Sequence, residues 1–247
     1  MKRLMAFITL LAILIFIVSG CSNTNTDENK YSGTIESTTV NVQSEISGRI
    51  LNLYVSTGEQ VKKGDKIALL DVSQYEEQAK EAKAALDIAK LKYDQIKNGP
   101  KEQADIASLN VEQAQAAYDL SNLMVKKGTI TSPLSGTITD IYSNVGEIET
   151  PGGNIAEVSD LNNLWIKIYV PEKYLYKVSL NKDVTVNVKS IKKNIGGKVV
   201  YISPNGEFTP KNTTTESSKE DIVYEVKIQI KDHIKELKPG MLADVTI

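Results

Sequence analysis

The sequence predicts a mainly β protein with an inserted α-helical coiled-coil hairpin, a β-sandwich split around that hairpin, and an antiparallel β-barrel at the C-terminal end. Three observations predict it. Residues 44–68 recur, without a gap, at 132–156. Between the two copies lies a heptad of apolar and small residues that then turns back on itself. After Leu164 the chain becomes a series of short runs rich in Val, Ile and Tyr.

The chain opens with Lys2 and Arg3, then an apolar stretch from Leu4 to Val18 broken only by Thr9, then Ser19-Gly20-Cys21. The stretch is shorter than the ~18 to 20 residues of a spanning helix, and small residues rather than charges follow it, so residues 1–20 read as a secretory signal peptide. Val18-Ser19-Gly20-Cys21 resembles a bacterial lipobox, which implies lipidation of Cys21, the chain's sole cysteine, as the new N-terminus. Two or more acyl chains give the stable anchoring that one alone does not. Residues 21–33 are then a lipidated N-terminus and a flexible polar tether. Removing the signal leaves roughly 227 residues, room for two or three small domains. It also takes the formal charge of −2 two units lower, which argues against a nucleic-acid partner. With Cys21 consumed no disulfide is available, and stability has to come from packing and strand pairing.

The repeat pairs Ser44, Ser47, Gly48, Ile50 and Tyr54 with Ser132, Ser135, Gly136, Ile138 and Tyr142, and Gly58, Glu59, Gly64, Ile67 and Ala68 with Gly146, Glu147, Gly152, Ile155 and Ala156. Near-alternating apolar residues punctuated by glycines read as short strands joined at turns that need positive φ. A copy this short cannot bury a two-sided core alone, so residues 34–72 and 127–161 are expected to pack together as one quasi-symmetric sandwich.

Residues 73–126 form the hairpin. Tyr75, Ala79, Ala82, Leu86, Ala89, Tyr93 and Ile96 alternate spacings of four and three, a coiled-coil seam. Ser73-Gln74-Tyr75-Glu76 reads as a capping box, and Asn98-Gly99-Pro100 as a stop with Gly99 left-handed and Pro100 opening the next helix. The returning segment carries two stripes. One is Ala104, Ala107, Val111, Ala114, Tyr118, Ser121 and Val125; the other is Ile106, Leu109, Ala116, Leu120 and Leu123. One stripe faces the first helix, and the other is expected to face a neighbouring subunit of a homo-oligomer.

Residues 162–247 are the expected barrel, with strands at Trp165–Val170, Val184–Val188, Lys198–Ser203, Ile222–Ile230 and Ala243–Ile247. Pro171-Glu172-Lys173 starts a short helical turn, Leu237 to Met241 holds a Pro-Gly turn, and Asn205 to Glu220 reads as a polar loop. Tyr31 to Val40 supplies one strand to the barrel or the sandwich.

No catalytic constellation is legible. The sole histidine, His233, has no cysteine left to pair with, and one histidine with a lipidated Cys21 cannot make a zinc or copper site. The glycines lie on hairpin turns with no helix following at once, which is not a phosphate cradle. No catalytic residue, cofactor site or metal site is expected.

The run Val55 to Ala68, with Pro133-Leu134-Ser135-Gly136 and Val145-Gly146-Glu147, resembles the split biotinyl/lipoyl domain of the HlyD-like membrane fusion, or periplasmic adaptor, proteins. Leu237-Lys238-Pro239-Gly240-Met241 is similar to that family's closing signature. The joint that bears the modified lysine in lipoyl and biotinyl carriers is occupied here by Ser73 to Val125, so the resemblance is to the scaffold and not to carrier chemistry. It implies a non-enzymatic adaptor subunit of an export or efflux system. The adaptor would be lipid-anchored on the extracytoplasmic side of the cell membrane and partnered by a cytoplasmic-membrane permease, ABC rather than RND. The family's Arg…Leu…Ser tip pattern is absent, so an outer-membrane channel is not expected. Nor is the family's membrane-proximal domain, because the sequence stops right after the last expected barrel strand. A free-standing cell-surface binding lipoprotein is the alternative.

Overall fold

A computed structural model describes residues 30–208, 222–232 and 234–247, all but the side chain of Ile234. The expected signal peptide, Cys21 and its tether to residue 29, His233, and residues 209–220 of the polar loop lie outside the described residues.

In chain order, β1 (Lys30–Gln43), β2 (Gly48–Leu53), β3 (Gln60–Val61) and β4 (Lys66–Leu70) precede helices α1 (Ser73–Ile96) and α2 (Lys101–Lys127). Then come β5 (Thr129–Thr131), β6 (Gly136–Ile141), β7 (Ile148–Glu149) and the long β8 (Asn154–Pro171). A 3-10 turn at Glu172–Lys177, β9 (Asp183–Val188), β10 (Lys193–Phe208) and β11 (Ile222–Ile230) follow, and a second 3-10 turn at Ile234–Glu236 leads into β12 (Leu242–Thr246). The molecule is therefore mainly β with a helical hairpin, as expected.

Strands β1-β12-β9-β10-β11-β8 hydrogen-bond in that order, and β8 returns to β1, so the sheet closes as an antiparallel barrel. Closure removes the unpaired edges that make open sheets sticky. The barrel core is built from alternate residues of each strand: Leu164, Ile166, Ile168 and Val170 from β8, Val184, Val186 and Val188 from β9, and Val226, Ile228 and Ile230 from β11. Each such side chain contributes about 1.5 to 3 kcal/mol by leaving water.

β1 and β8 do not stop at the barrel. Thr34–Glu36 pair with Trp165–Lys167 in the barrel, and Thr38–Gln43 pair with Asn154–Asp160 in the sandwich. A register shift between Glu36 and Thr38 absorbs the intervening residues Leu161–Leu164. Tyr31 to Val40 thus serves both domains. β10 also runs on to Phe208, so the first residues of the expected loop are strand.

The sandwich core contains Ile50, Ile67, Leu70, Ile138, Ile155 and Val158, drawn from both copies of the repeat. The copies complete each other. Gly58 N–H donates to Ile138 O and Gly146 N–H to Ile50 O, both at 2.8 Å; Gly64 N–H donates to Ser132 O and Gly152 N–H to Ser44 O, both at 2.8 Å. The Ser44 hydroxyl donates to Ile46 O at 2.5 Å, and the equivalent Ser132 hydroxyl to Leu134 O at 2.6 Å. The four turn glycines all have positive φ, between 87° and 94°. One exchange is lopsided. Lys63 N–H donates to Ser135 Oγ, but the matching position is Pro151, which has no N–H, and the Ser47 hydroxyl donates instead to Glu149 O.

In the hairpin, all seven seam residues of α1 are buried or half-buried while their neighbours are exposed. The stripe from Ala104 to Val125 faces α1, and Ile106, Leu109, Ala116, Leu120 and Leu123 are exposed. Two local expectations fail. The capping box does not form: Val72 occupies the cap position, and Ser73 turns its hydroxyl and N–H back to Asp71 Oδ1 at 2.6 and 3.0 Å. With Ser73 already the first helical residue, one position past the cap, its oxygen is not placed to accept from a first-turn N–H, and its hydroxyl donates instead to the charged carboxylate. Those two bonds, the hydroxyl first, hold the Asp71 carboxyl below its usual range. Gly99 is not among the left-handed glycines, because Lys97 stays helical and Pro100, at φ −57° and ψ 131°, caps α2 and turns the chain.

Candidate functional surfaces

Among the described residues, no group of three or more His, Cys, Asp or Glu side chains is placed to hold a metal, and no helix is long and apolar enough to cross a membrane. The candidate functional features are surfaces. Cys21, the one predicted site residue, lies outside the described residues.

The first surface is the hairpin. At ~1.5 Å per residue, the 24 residues of α1 and 27 of α2 make an arm of about 36 to 40 Å. Near its tip, Ala85, Ile88, Ala89, Ile96, Ile106 and Ala107 line an open groove of about 450 Å³. Its base is fixed to the sandwich where β1 ends: Lys127 Nζ lies 2.7 Å from a Glu45 carboxylate oxygen, and the Tyr75 hydroxyl donates to Ser47 O at 3.1 Å.

The second surface breaks the symmetry of the repeat. Leu51, Val145 and Ile148 are 44%, 58% and 63% exposed and lie together, because Ile148 pairs with Arg49 and Gly146 N–H bonds Ile50 O. The quasi-equivalent positions, Thr139, Thr57 and Gln60, are polar. Matching residues between the copies had been the signal for the fold. The mismatched positions carried this surface, and comparing them would have found it.

The third surface is the barrel's outer wall, where β1, β8, β10 and β11 are laced by side chains. Trp165 Nε1 donates to Glu36 at 3.3 Å, and the Lys227 ammonium sits 6.0 Å from the Trp165 ring and 5.5 Å from the Tyr201 ring. At the closing strand, Asp244 is buried. Ser32 donates to its Oδ1 at 2.6 Å, while Lys189 and Lys30 lie 2.9 and 3.5 Å from Oδ2. The Ser32 bond first, and then Lys189, lower the carboxyl to about 2.

Two β cores threaded on a shared strand pair, with a helical arm at one pole, define a docking scaffold. The chain matches the family models for the RND MFP barrel-sandwich hybrid domain over residues 38–159 and the CusB-like β-barrel domain over 163–247. It belongs to the membrane fusion, or periplasmic adaptor, proteins of efflux systems. It is 22% identical to a UPF0194 membrane protein of Citrobacter koseri and 23% identical to a 36 kDa antigen of Helicobacter pylori, covering 87% of itself in each case and 87% and 88% of those proteins. A MacA-MexA chimera containing the Pseudomonas aeruginosa MexA α-hairpin domain superposes with a TM-score of 0.74 at 28% identity, over 87% of this chain and 79% of that one. The membrane fusion protein Spr0693 of Streptococcus pneumoniae shares the fold, with a TM-score of 0.69 at 22% identity over 87% and 96% of the two chains. Proteins of this family partner inner-membrane transporters and are generally not enzymes.

Proposed function

We propose that this adaptor is a lipoprotein, anchored through Cys21 on the outer face of the cytoplasmic membrane, that couples an export permease to substrate release beyond the membrane. The division at residues 34, 73, 127 and 162 into sandwich halves, hairpin and barrel belongs to the same reading. So does the absence of a catalytic role. The observation that carries it is the pole-to-pole layout: the chain enters at Lys30 on the barrel, and the hairpin leaves the sandwich beyond the other end of β1. A tether at one pole and an arm at the other suit a part that spans from a membrane-embedded pump outward.

The adaptor works as a homo-oligomer in this reading. The exposed hairpin stripe and the Leu51, Val145 and Ile148 patch supply apolar area for contacts between the copies of a ring. The permease is ABC-type, a reading that rests on the setting, an envelope without an outer membrane, that the short arm and the missing tip pattern favour. The RND designation in the matched sandwich model favours a proton-driven partner as the second reading.

A mild-detergent pull-down of the lipidated protein from native membranes, followed by mass spectrometry, tests the proposal. Recovery of an ABC permease with its ATPase is the expected result, and an RND pump in its place moves the assignment to the second reading. A bait that returns no transporter contradicts the adaptor role.

A further inference from the structure

The barrel has two ends, and strand direction fixes which is which. β1 starts at Lys30 and runs into the sandwich; β8 leaves the sandwich and stops at Pro171. Because the two are antiparallel, the start of β1 and the end of β8 share the pole opposite the hairpin. Lys30 pairs with Thr246 and Thr246 with Thr185, so the end of β12 and the start of β9 join them there. Among the described residues this pole carries the Glu172–Lys177 turn, the loop that leads to β9, and the adjoining ends of β10 and β11, since Val223 pairs with both Pro171 and Glu207.

The covering residues are unlike a polar loop. Tyr176 is 80% exposed and Leu180 59% exposed, whereas Tyr174 packs back against the barrel core. Lys173 and Lys177 lie 4.9 and 5.1 Å from the Tyr174 ring, and Lys177 is also 5.9 Å from that of Tyr176. Lys182 donates to Lys177 O at 2.8 Å, which ties the loop to the turn. Among the described residues near this end, Asp183 is paired with Lys231 at 2.6 Å, and Lys173, Lys177 and Lys182 stand with Glu172 and with Glu207 of β10. Exposed Tyr176 and Leu180 on an aromatic and basic collar are the composition that settles at a lipid headgroup layer.

We propose that this pole of the barrel rests on the bilayer, with Tyr176 and Leu180 entering the interface of an anionic lipid surface and Lys173 and its neighbours held at headgroup level. The orientation argument rests on the anchoring proposed at Cys21. The nine residue steps from Cys21 to Lys30 span at most about 32 Å even fully extended, so a lipidated Cys21 keeps Lys30, and this end of the barrel with it, within about that distance of the membrane. The chemistry of the collar makes the last step a contact instead of a gap.

The test uses the chain from Ser22 onward, which carries every described element and no lipid. It is floated with phosphatidylcholine vesicles and with mixed phosphatidylcholine–phosphatidylglycerol vesicles. Binding to the mixed vesicles is expected, lowered about fivefold by Lys173→Gln and more than about tenfold by Tyr176→Ser combined with Leu180→Ser. Thermal melts of these exposed-site variants should match the parent. Absence of binding to anionic vesicles, or equal binding by parent and variants, overturns the proposal. In the anchored protein, an indole introduced by Tyr176→Trp should be quenched by brominated lipid more strongly than Trp165. An indole shielded by a purified permease and untouched by the lipid overturns the proposal in favour of a protein contact. Intact mass at Cys21 and recovery of a permease report separately on the anchoring and adaptor readings, so their failure is distinguishable from failure of the bilayer contact.

Discussion

The two copies of the repeat are alike inside and different outside. Ile67 and Ile155 are both fully buried, Gly58 and Gly146 share one backbone conformation, and each copy accepts the other's turn amides. On the surface, Leu51, Val145 and Ile148 stand where the quasi-equivalent positions carry Thr139, Thr57 and Gln60. Packing constrains what both copies need in order to close one core; what each shows to its neighbours is free to diverge. The difference separates positions that hold the fold from positions that serve an interface.

The largest expected effect tests the interior equivalence. Ile67→Ala and Ile155→Ala should each cost about 2 to 5 kcal/mol in denaturant unfolding. A difference above about 1.5 kcal/mol between them would break the equivalence. Next come the turns. Gly58→Ala and Gly146→Ala each force a left-handed alanine into open space, and should cost about 1 to 2 kcal/mol apiece by the same measurement.

A third prediction sets the sandwich against the barrel. The buried polar side chains of the sandwich are the neutral serines Ser44, Ser132, Ser143 and Ser159, whereas the barrel buries the charged Asp244. Because the folded carboxyl is lowered from 3.8 to about 2, its contribution is present above pH 4 and is lost as the pH falls through about 2. The loss is on the order of 1 kcal/mol after discounting for partial solvent screening. Hydrogen exchange between pH 5 and pH 2 should therefore show β12 and the first residues of β1 loosening before β2, β4 and β6. Asp244→Asn should flatten that dependence.

The smallest effect on stability tests the exterior difference. Ile148→Gln gives the second copy the residue that the first has at position 60. It should leave unfolding within about 0.5 kcal/mol of the parent. Light scattering should nonetheless show weakened self-association, which Gln60→Ile does not reproduce.

How much was legible follows the same division. The sandwich could be read because the second copy preserves the spacing of the first, and the α1 seam because a heptad survives any tertiary context. Local competition was not legible. Ser73 carries a capping signature, but the helix starts at Ser73 itself, so Val72 takes the cap position and the serine hydroxyl donates back to Asp71. Gly99 looked like a left-handed stop, yet Pro100 alone redirects the chain. The continuity of β8 was hidden for a related reason: Asp160, Asn162 and Asn163 look like a loop, but Asp160 accepts from both asparagines and the strand passes through. The exposed patch and the barrel pole were hidden because a single apolar residue in a turn carries no periodicity.

The shared strand pair has a mechanical side. A pull on the chain ahead of Lys30 is directed along β1, whose residues are bonded to β8 from Thr34 to Gln43 across both cores. Force applied along the strand loads those bonds together, in shear, and does not peel them one at a time. An adaptor strained between a membrane and a working pump would accordingly yield last along β1 and β8, and tension would reach the base of the helical arm with little slack.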